Sequence, residues 1–183
     1  MHKGERAVID YYSQEAENGS TMKAIINHPI FTRRLLLLEH SAHGIGHWQR
    51  VEYLGLKIAK ENGANKKVIS LFAYLHDARR EKELNDPDHG KRAVILLDEL
   101  VEAKIVHTTN LQYSQLTEAL ALHNKDFISS DDITIQTCWD ADRLDLWRIG
   151  TEPNPEMLFT NQAKDKKMIE FARQLYKRFQ KNN

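Results

Sequence analysis

The chain has 183 residues, with 26 lysines plus arginines balancing 26 aspartates plus glutamates, a 41% hydrophobic share and one cysteine. That length allows one well-buried core and is short for two ordinary domains. The balanced charge argues against a general grip on nucleic-acid polymers or anionic membranes, and the apolar runs at 35–38 and 93–97 are far too short for a membrane span. Cys138 alone excludes an internal disulfide and fits a reducing compartment, and residues 1–6 lack the apolar core of a signal peptide. The cytoplasm is the expected location.

Helical periodicity dominates. Val51, Leu54 and Ile58 continue an apolar stripe that starts at His47, and Glu61-Asn62-Gly63 ends that helix with a glycine stop. Asn65 suits the cap of the next helix, whose apolar face holds Val68, Phe72 and Leu75 before His76. Asp86-Pro87 reads as the opening of a further helix, since proline fits the first helical position, with Ala93, Leu96, Leu97 and Leu100 on one side. Leu116, Ala119, Leu120 and His123 outline another. Residues 133–137 alternate as a strand would, yet Ile135, Cys138, Asp142 and Leu146 recur at helical spacing. Residues 150–155 read as a loop. The last helix, over 163–181, sets Met168, Phe171, Ala172, Leu175 and Phe179 on one face and leaves its basic residues to solvent. Further helices are expected within 5–40, packed on the rest. The pattern predicts an all-α, single-domain helical bundle over 1–183.

Polar side chains on those apolar stripes need a reason to be there. His47 shares its stripe with Val51 and Leu54, and Asp142 shares one with Cys138 and Leu146. His89 leads Ala93, Leu96 and Leu100, and His123 ends the run from Leu116. A lone histidine in such a place is ordinarily a hydrogen-bonded core residue, and a lone aspartate a cap or ion-pair partner. A carboxylate buried without a partner is costly, and a bound cation or an arginine is the usual remedy. Taken in order, His47, the adjacent His76-Asp77 and Asp142 make a mixed nitrogen and oxygen set suited to a divalent transition metal. Side chains one apart on a helix diverge by about 100°, so His76 and Asp77 can share an ion only near a helix end or at the edge of the ion. Five of the nine histidines, His43, His47, His76, His89 and His123, fall in or beside these motifs. Gly44 and Gly46 lack the lysine of a phosphate-binding loop, and Cys138, on an apolar stripe, is a poor nucleophile.

The order H…HD…D, with His47-x-x-Arg50-Val51, the apolar approach Leu71-Phe72-Ala73-Tyr74-Leu75 into His76-Asp77, and Ala141-Asp142-Arg143-Leu144, resembles the HD-domain superfamily of metal-dependent phosphohydrolases. The stretches 41–48, 86–90 and 138–145 look like a compact bacterial-type branch with no assigned substrate. The resemblance covers about residues 43–165 and implies a helix at 133–137. It implies one divalent ion (Mn, Mg, Fe, Co, Ni or Zn) on His47, His76, Asp77 and Asp142, with Asp77 also orienting the attacking water. Arg50, Arg80, Lys125 and Arg143 stand near the motifs as sources of positive charge for a phosphate, Arg50 and Arg80 foremost. His43, His89 and His123 are expected to line the substrate pocket, His89 or His123 donating a proton to the leaving group.

A second metal on His89 and His123 is the alternative arrangement. Gly44 and Gly46 as helix breakers, and the eleven residues between Asp77 and His89, argue against it. The expected activity is hydrolysis of a small phosphate ester, a nucleotide or nucleotide-like compound by analogy. A di-iron oxygenase resembling myo-inositol oxygenase and a non-catalytic, metal-stabilised nucleotide-binding protein are the competing readings.

Overall fold

The computed structural model describes residues 22–32, 41–125 and 128–181. Of the helices expected within 5–40, residues 5–21 and 33–40 lie outside the described residues. The described elements are all helical: α1 (Pro29–Thr32), α2 (Ile45–Asn62), α3 (Lys66–Leu75), α4 (His89–Glu102), α5 (Asn110–Leu122), α6 (Ile133–Leu144), α7 (Asn161–Lys164) and α8 (Lys166–Lys181), with 3-10 turns at Asp145–Ile149 and Pro155–Met157. None of the described helices is long and apolar enough to cross a membrane.

Local chemistry explains most boundaries. Gly63 adopts φ +76°, the left-handed geometry that ends α2 cheaply for glycine, and its N–H reaches the Ala59 carbonyl. The Asn65 side chain accepts from the N–H groups of Lys67 and Val68 and so starts α3. Thr109 and Gln112 form a capping box at the start of α5. The stretch 133–137 is helical, as its longer-range spacing predicts. Asp132 caps it by accepting from the N–H groups of Thr134 and Ile135.

Two expected boundaries move. The helix expected to open at Asp86-Pro87 starts at His89, with Pro87 in the preceding turn. Asp86 instead accepts from the Glu81 N–H and from Arg92, contacts that hold its carboxyl below the usual range although burial opposes them. The last helix, expected over 163–181, is Lys166–Lys181, because Asp165 is extended and separates it from α7.

The core sits among α2, α3, α5 and α6. Val51, Leu54, Ile58, Val68, Phe72, Leu75, Leu116, Ala119 and Cys138 are all fully buried in it. At Gly55 the packing of α2 is so close that a Cβ would stand 2.5 Å from Ile69 Cγ2 and 3.3 Å from Ala141 Cβ. These three helices therefore meet without a side chain between them, and their ends converge on His47, His76 and Asp142. In α8, Met168, Ala172 and Leu175 are buried, with Phe171 and Phe179 packed against the core.

Candidate metal centre

His76 caps α3, and Asp77 stands in the turn beyond it. The helix end removes the angular divergence that would otherwise keep neighbours from one ion. His47 comes from the first turn of α2, Asp142 from the last turn of α6, His89 from the start of α4 and His123 from the end of α5. Gly90 permits the last approach, since a Cβ there would meet the Leu120 carbonyl oxygen at 2.6 Å. That clearance seats the start of α4 on the end of α5 and brings His89 to His123.

The four imidazoles share one arrangement. His47 Nδ1 lies 2.7 Å from Asp145 Oδ2, His76 Nδ1 3.0 Å from the Ala73 carbonyl, and His123 Nδ1 2.8 Å from the Leu120 carbonyl, while His89 Nδ1 faces the Asp86 carbonyl. Carbonyl and carboxylate oxygens only accept, so each Nδ1 donates, and in the neutral ring Nε2 is left with a lone pair. Those lone pairs face each other, His47 to His76 at 3.0 Å and His89 to His123 at 2.8 Å. Such pairs repel unless a cation or a shared proton lies between them. For His76 burial presses the imidazole pKa down to about 3, against the opposing pull of Asp77 and Asp142, so this ring stays neutral at neutral pH.

The carboxylates complete two groups. Asp142 Oδ1 is buried with no hydrogen-bond partner and stands 3.3 Å from His47 Nε2 and 3.9 Å from His76 Nε2. Asp77 Oδ2 lies 3.7 Å from His47 Nε2 and 3.5 Å from His76 Nε2. Its other oxygen, Oδ1, lies 3.2 Å from His89 Nε2 and 3.8 Å from His123 Nε2. Donors about 2.0–2.2 Å from a shared ion stand about 3–3.5 Å apart, close to these separations. His47, His76 and Asp142 can hold a metal ion, as can Asp77, His89 and His123. Burial works against the charges of Asp77 and Asp142, yet the neighbouring imidazoles, and Arg148 beside Asp142, keep both well below the usual carboxylate range.

His89 and His123 therefore stand with Asp77 as a second donor group, the arrangement treated above as the alternative. Gly44 is the N-cap of α2 and leaves His43 outside the helix, whereas Gly46, expected to break it as well, lies within its first turn. The short interval after Asp77 poses no obstacle, because residues 80–88 are coil and turn that return directly to α4. His43 sits at the rim, 12% exposed, with Nδ1 3.4 Å from Glu83.

Of the four expected cations, Arg80 reaches the centre. Its Nη1 is 3.4 Å from Asp77 Oδ1 and 3.2 Å from His89 Nε2, and Nη2 donates to the Leu84 carbonyl. Arg50 is taken up elsewhere. Its Nε and Nη2 bind the two oxygens of Asp145 at 2.7 and 2.9 Å, beneath the rings of Tyr176 and Phe179. Lys125 donates to the Pro87 carbonyl, and Arg143 donates to the Met157 carbonyl and lies over Phe159. The Cys138 thiol is buried and pushed well above its ordinary pKa, as its apolar stripe implies for an inert thiol.

Two residues of the site escaped the sequence reading. Asp145 orients His47 and neutralises Arg50, and its spacing three after Asp142 was the available signal. Arg148 stands 3.5 Å from Asp142 Oδ1. No protein-family model, curated protein or solved structure matches this chain.

Proposed function

We propose that the protein is a metal-dependent phosphohydrolase of the HD-domain type, with two divalent ions and a small phosphate ester, nucleotide or nucleotide-like, as substrate. One observation carries the reading. Four buried imidazoles, each with Nδ1 committed to an acceptor, aim their Nε2 atoms at one another in two pairs, and the two oxygens of Asp77 point one to each pair. Ions on such donors supply Lewis acidity toward a phosphoryl oxygen and bring a water pKa toward neutrality.

The protein contributes position and charge, which phosphoryl transfer chiefly requires. Asp77 is held by Arg80 and stands between the groups, where it orients an attacking water. The Nδ1 contacts fix ring planes and raise ligand basicity. His43, at the rim, is placed to contact substrate; burial, with the charges of Arg148 and Arg80, lowers its pKa and favours the neutral ring.

The donor set of four imidazoles and two carboxylates also suits a di-iron oxygenase, the second reading. Metal analysis of protein purified without chelator, then phosphate release from nucleotides and sugar phosphates under Mn, Mg, Co, Ni, Zn and Fe, tests the proposal. Turnover under at least one ion is expected. Its absence with every substrate, together with iron-dependent oxygen uptake, would favour the oxygenase; tight nucleotide binding without turnover would favour a non-catalytic binding protein.

A further inference from the structure

Beside the metal centre stands an arginine whose donors are almost unused. Arg148 lies in the 3-10 turn Asp145–Ile149 that continues α6 past Asp142. Its side chain is 7% exposed, with Nη2 3.5 Å from Asp142 Oδ1, and its Nε and Nη1 are buried with no hydrogen-bond partner. The 3.5 Å separation is a charge contact, too long for a good hydrogen bond. A guanidinium carries five N–H donors and keeps its charge at any working pH, so burying most of them unclaimed is unfavourable. Arg50 shows the closed alternative in the same site, with two of its nitrogens on the two oxygens of Asp145. Asp142 does not close Arg148 in that way, because its Oδ1 is directed at the His47 and His76 Nε2 atoms.

The surroundings indicate what claims those donors. Asp142, at 15%, is more exposed than the other metal-facing side chains, and it lies on the Arg148 side, which makes that the more open side of the centre. The charges do not balance. Arg50 and Asp145 cancel, as do Arg92 and Asp86, and Glu83 is turned to the Ser41 hydroxyl and the Ala42 N–H. Asp77 and Asp142 then oppose Arg80, Arg148 and the metal charge, and even one divalent ion leaves the centre net positive. An anion with several oxygens answers both the charge and the idle N–H groups.

We propose that Arg148 is the phosphoryl-binding residue of this site, its unclaimed Nη1 donating to a non-bridging oxygen of a terminal phosphate. The substrate class is then a phosphate monoester dianion in preference to a phosphodiester, which offers one charge and fewer free oxygens. This rests on the phosphohydrolase reading for turnover, whereas the binding of inorganic phosphate does not.

The test is calorimetric binding of inorganic phosphate to the manganese-loaded protein, with p-nitrophenyl phosphate and bis-p-nitrophenyl phosphate kinetics alongside. The expected result for Arg148→Ala is a loss of phosphate affinity on the order of 10- to 100-fold, the worth of a charge-assisted pair. The KM for the monoester rises in step, the diester KM rises less, and metal content stays at the wild-type level. Arg148→Lys, which keeps the charge, should recover part of the affinity and serves if the alanine variant does not fold. Phosphate binding by wild type that Arg148→Ala or Arg148→Lys leaves unchanged would overturn the proposal, as would the absence of phosphate binding by the wild-type protein. So would an effect confined to metal content, which would make Arg148 a partner of Asp142 only. Arg148-dependent phosphate binding without turnover of any ester would leave this site standing and remove the hydrolase.

Discussion

The two sides of the metal centre are built on opposite principles. Behind the ligands every polar group is closed: His47 on Asp145, Asp145 on Arg50, and the other imidazoles on the carbonyls of Ala73, Asp86 and Leu120. In front, Nε2 faces Nε2, Asp142 Oδ1 has no hydrogen-bond partner, and two nitrogens of Arg148 are idle. A closed buried pair stabilises the fold, and breaking it costs more than forming it gained. An open one is a strain that a ligand relieves. The back of the site holds the structure, and the front holds the donors that could take a metal ion.

Changes at the front should remove function and spare the fold. Asp77→Ala is expected to have the largest functional effect, because each of its oxygens faces a different donor group. Bound metal and hydrolytic activity should both disappear, with helical content unchanged, as read by metal analysis and circular dichroism. A metal-replete, active variant would remove Asp77 from the centre.

Changes at the back should do the reverse. Asp145→Ala leaves the buried Arg50 charge unpaired and frees the His47 ring. Urea unfolding of the metal-free variant should show a loss of about 3–5 kcal/mol, and metal affinity should fall roughly 10- to 100-fold. Unchanged stability would show that the Arg50–Asp145 pair is not what holds this side.

Acid should weaken the metal-free protein through its buried groups. The His76 pKa is about 3 in the fold against an ordinary value of 6.5, so between those values the unfolded chain binds more protons and stability falls as pH falls. Asp77, Asp142 and Asp145, all lowered, add to the loss below the ordinary carboxylate range. The expected slope is up to about 1.4 kcal/mol per pH unit from His76 alone. Unfolding midpoints that stay flat from neutral pH down to the His76 value would contradict its burial as a neutral ring.

Gly90→Ala separates the donor groups. The new Cβ meets the Leu120 carbonyl at 2.6 Å, which forces α4 away from α5. Stability should drop by about 1–3 kcal/mol, and metal stoichiometry should fall toward one as His89 leaves His123. The smallest effect is expected from Lys125→Ala, whose ammonium reaches only the Pro87 carbonyl among the described residues. Stability should stay within about 0.5 kcal/mol and metal content should not move.

The candidate metal ligands were legible because each motif carries its own local signal: an apolar stripe interrupted by a histidine or a carboxylate, and an adjacent His-Asp that only a helix end can use. The capping residues Asn65 and Gly63 were legible for the same local reason. Pro87 misled, since a proline suits a turn before a helix as well as its first residue. Arg148 was hidden by a change of pitch. On a continuing α-helix it would lie about 120° from Asp142, facing elsewhere. From Asp145 onward the turn is 3-10, at about 120° per residue, and this swings Arg148 back to within about 60° of Asp142. The pairing of His89 with His123 was equally remote, because it depends on Gly90 letting α4 and α5 touch.

Anomalous diffraction from crystals of the manganese-loaded protein tests the central claim most directly. The account predicts two peaks about 3.5–4 Å apart, one on His47, His76 and Asp142 and the other on His89 and His123, with one oxygen of Asp77 on each. A single peak that leaves His89 and His123 unligated, or ions bound away from the facing Nε2 atoms, would contradict it.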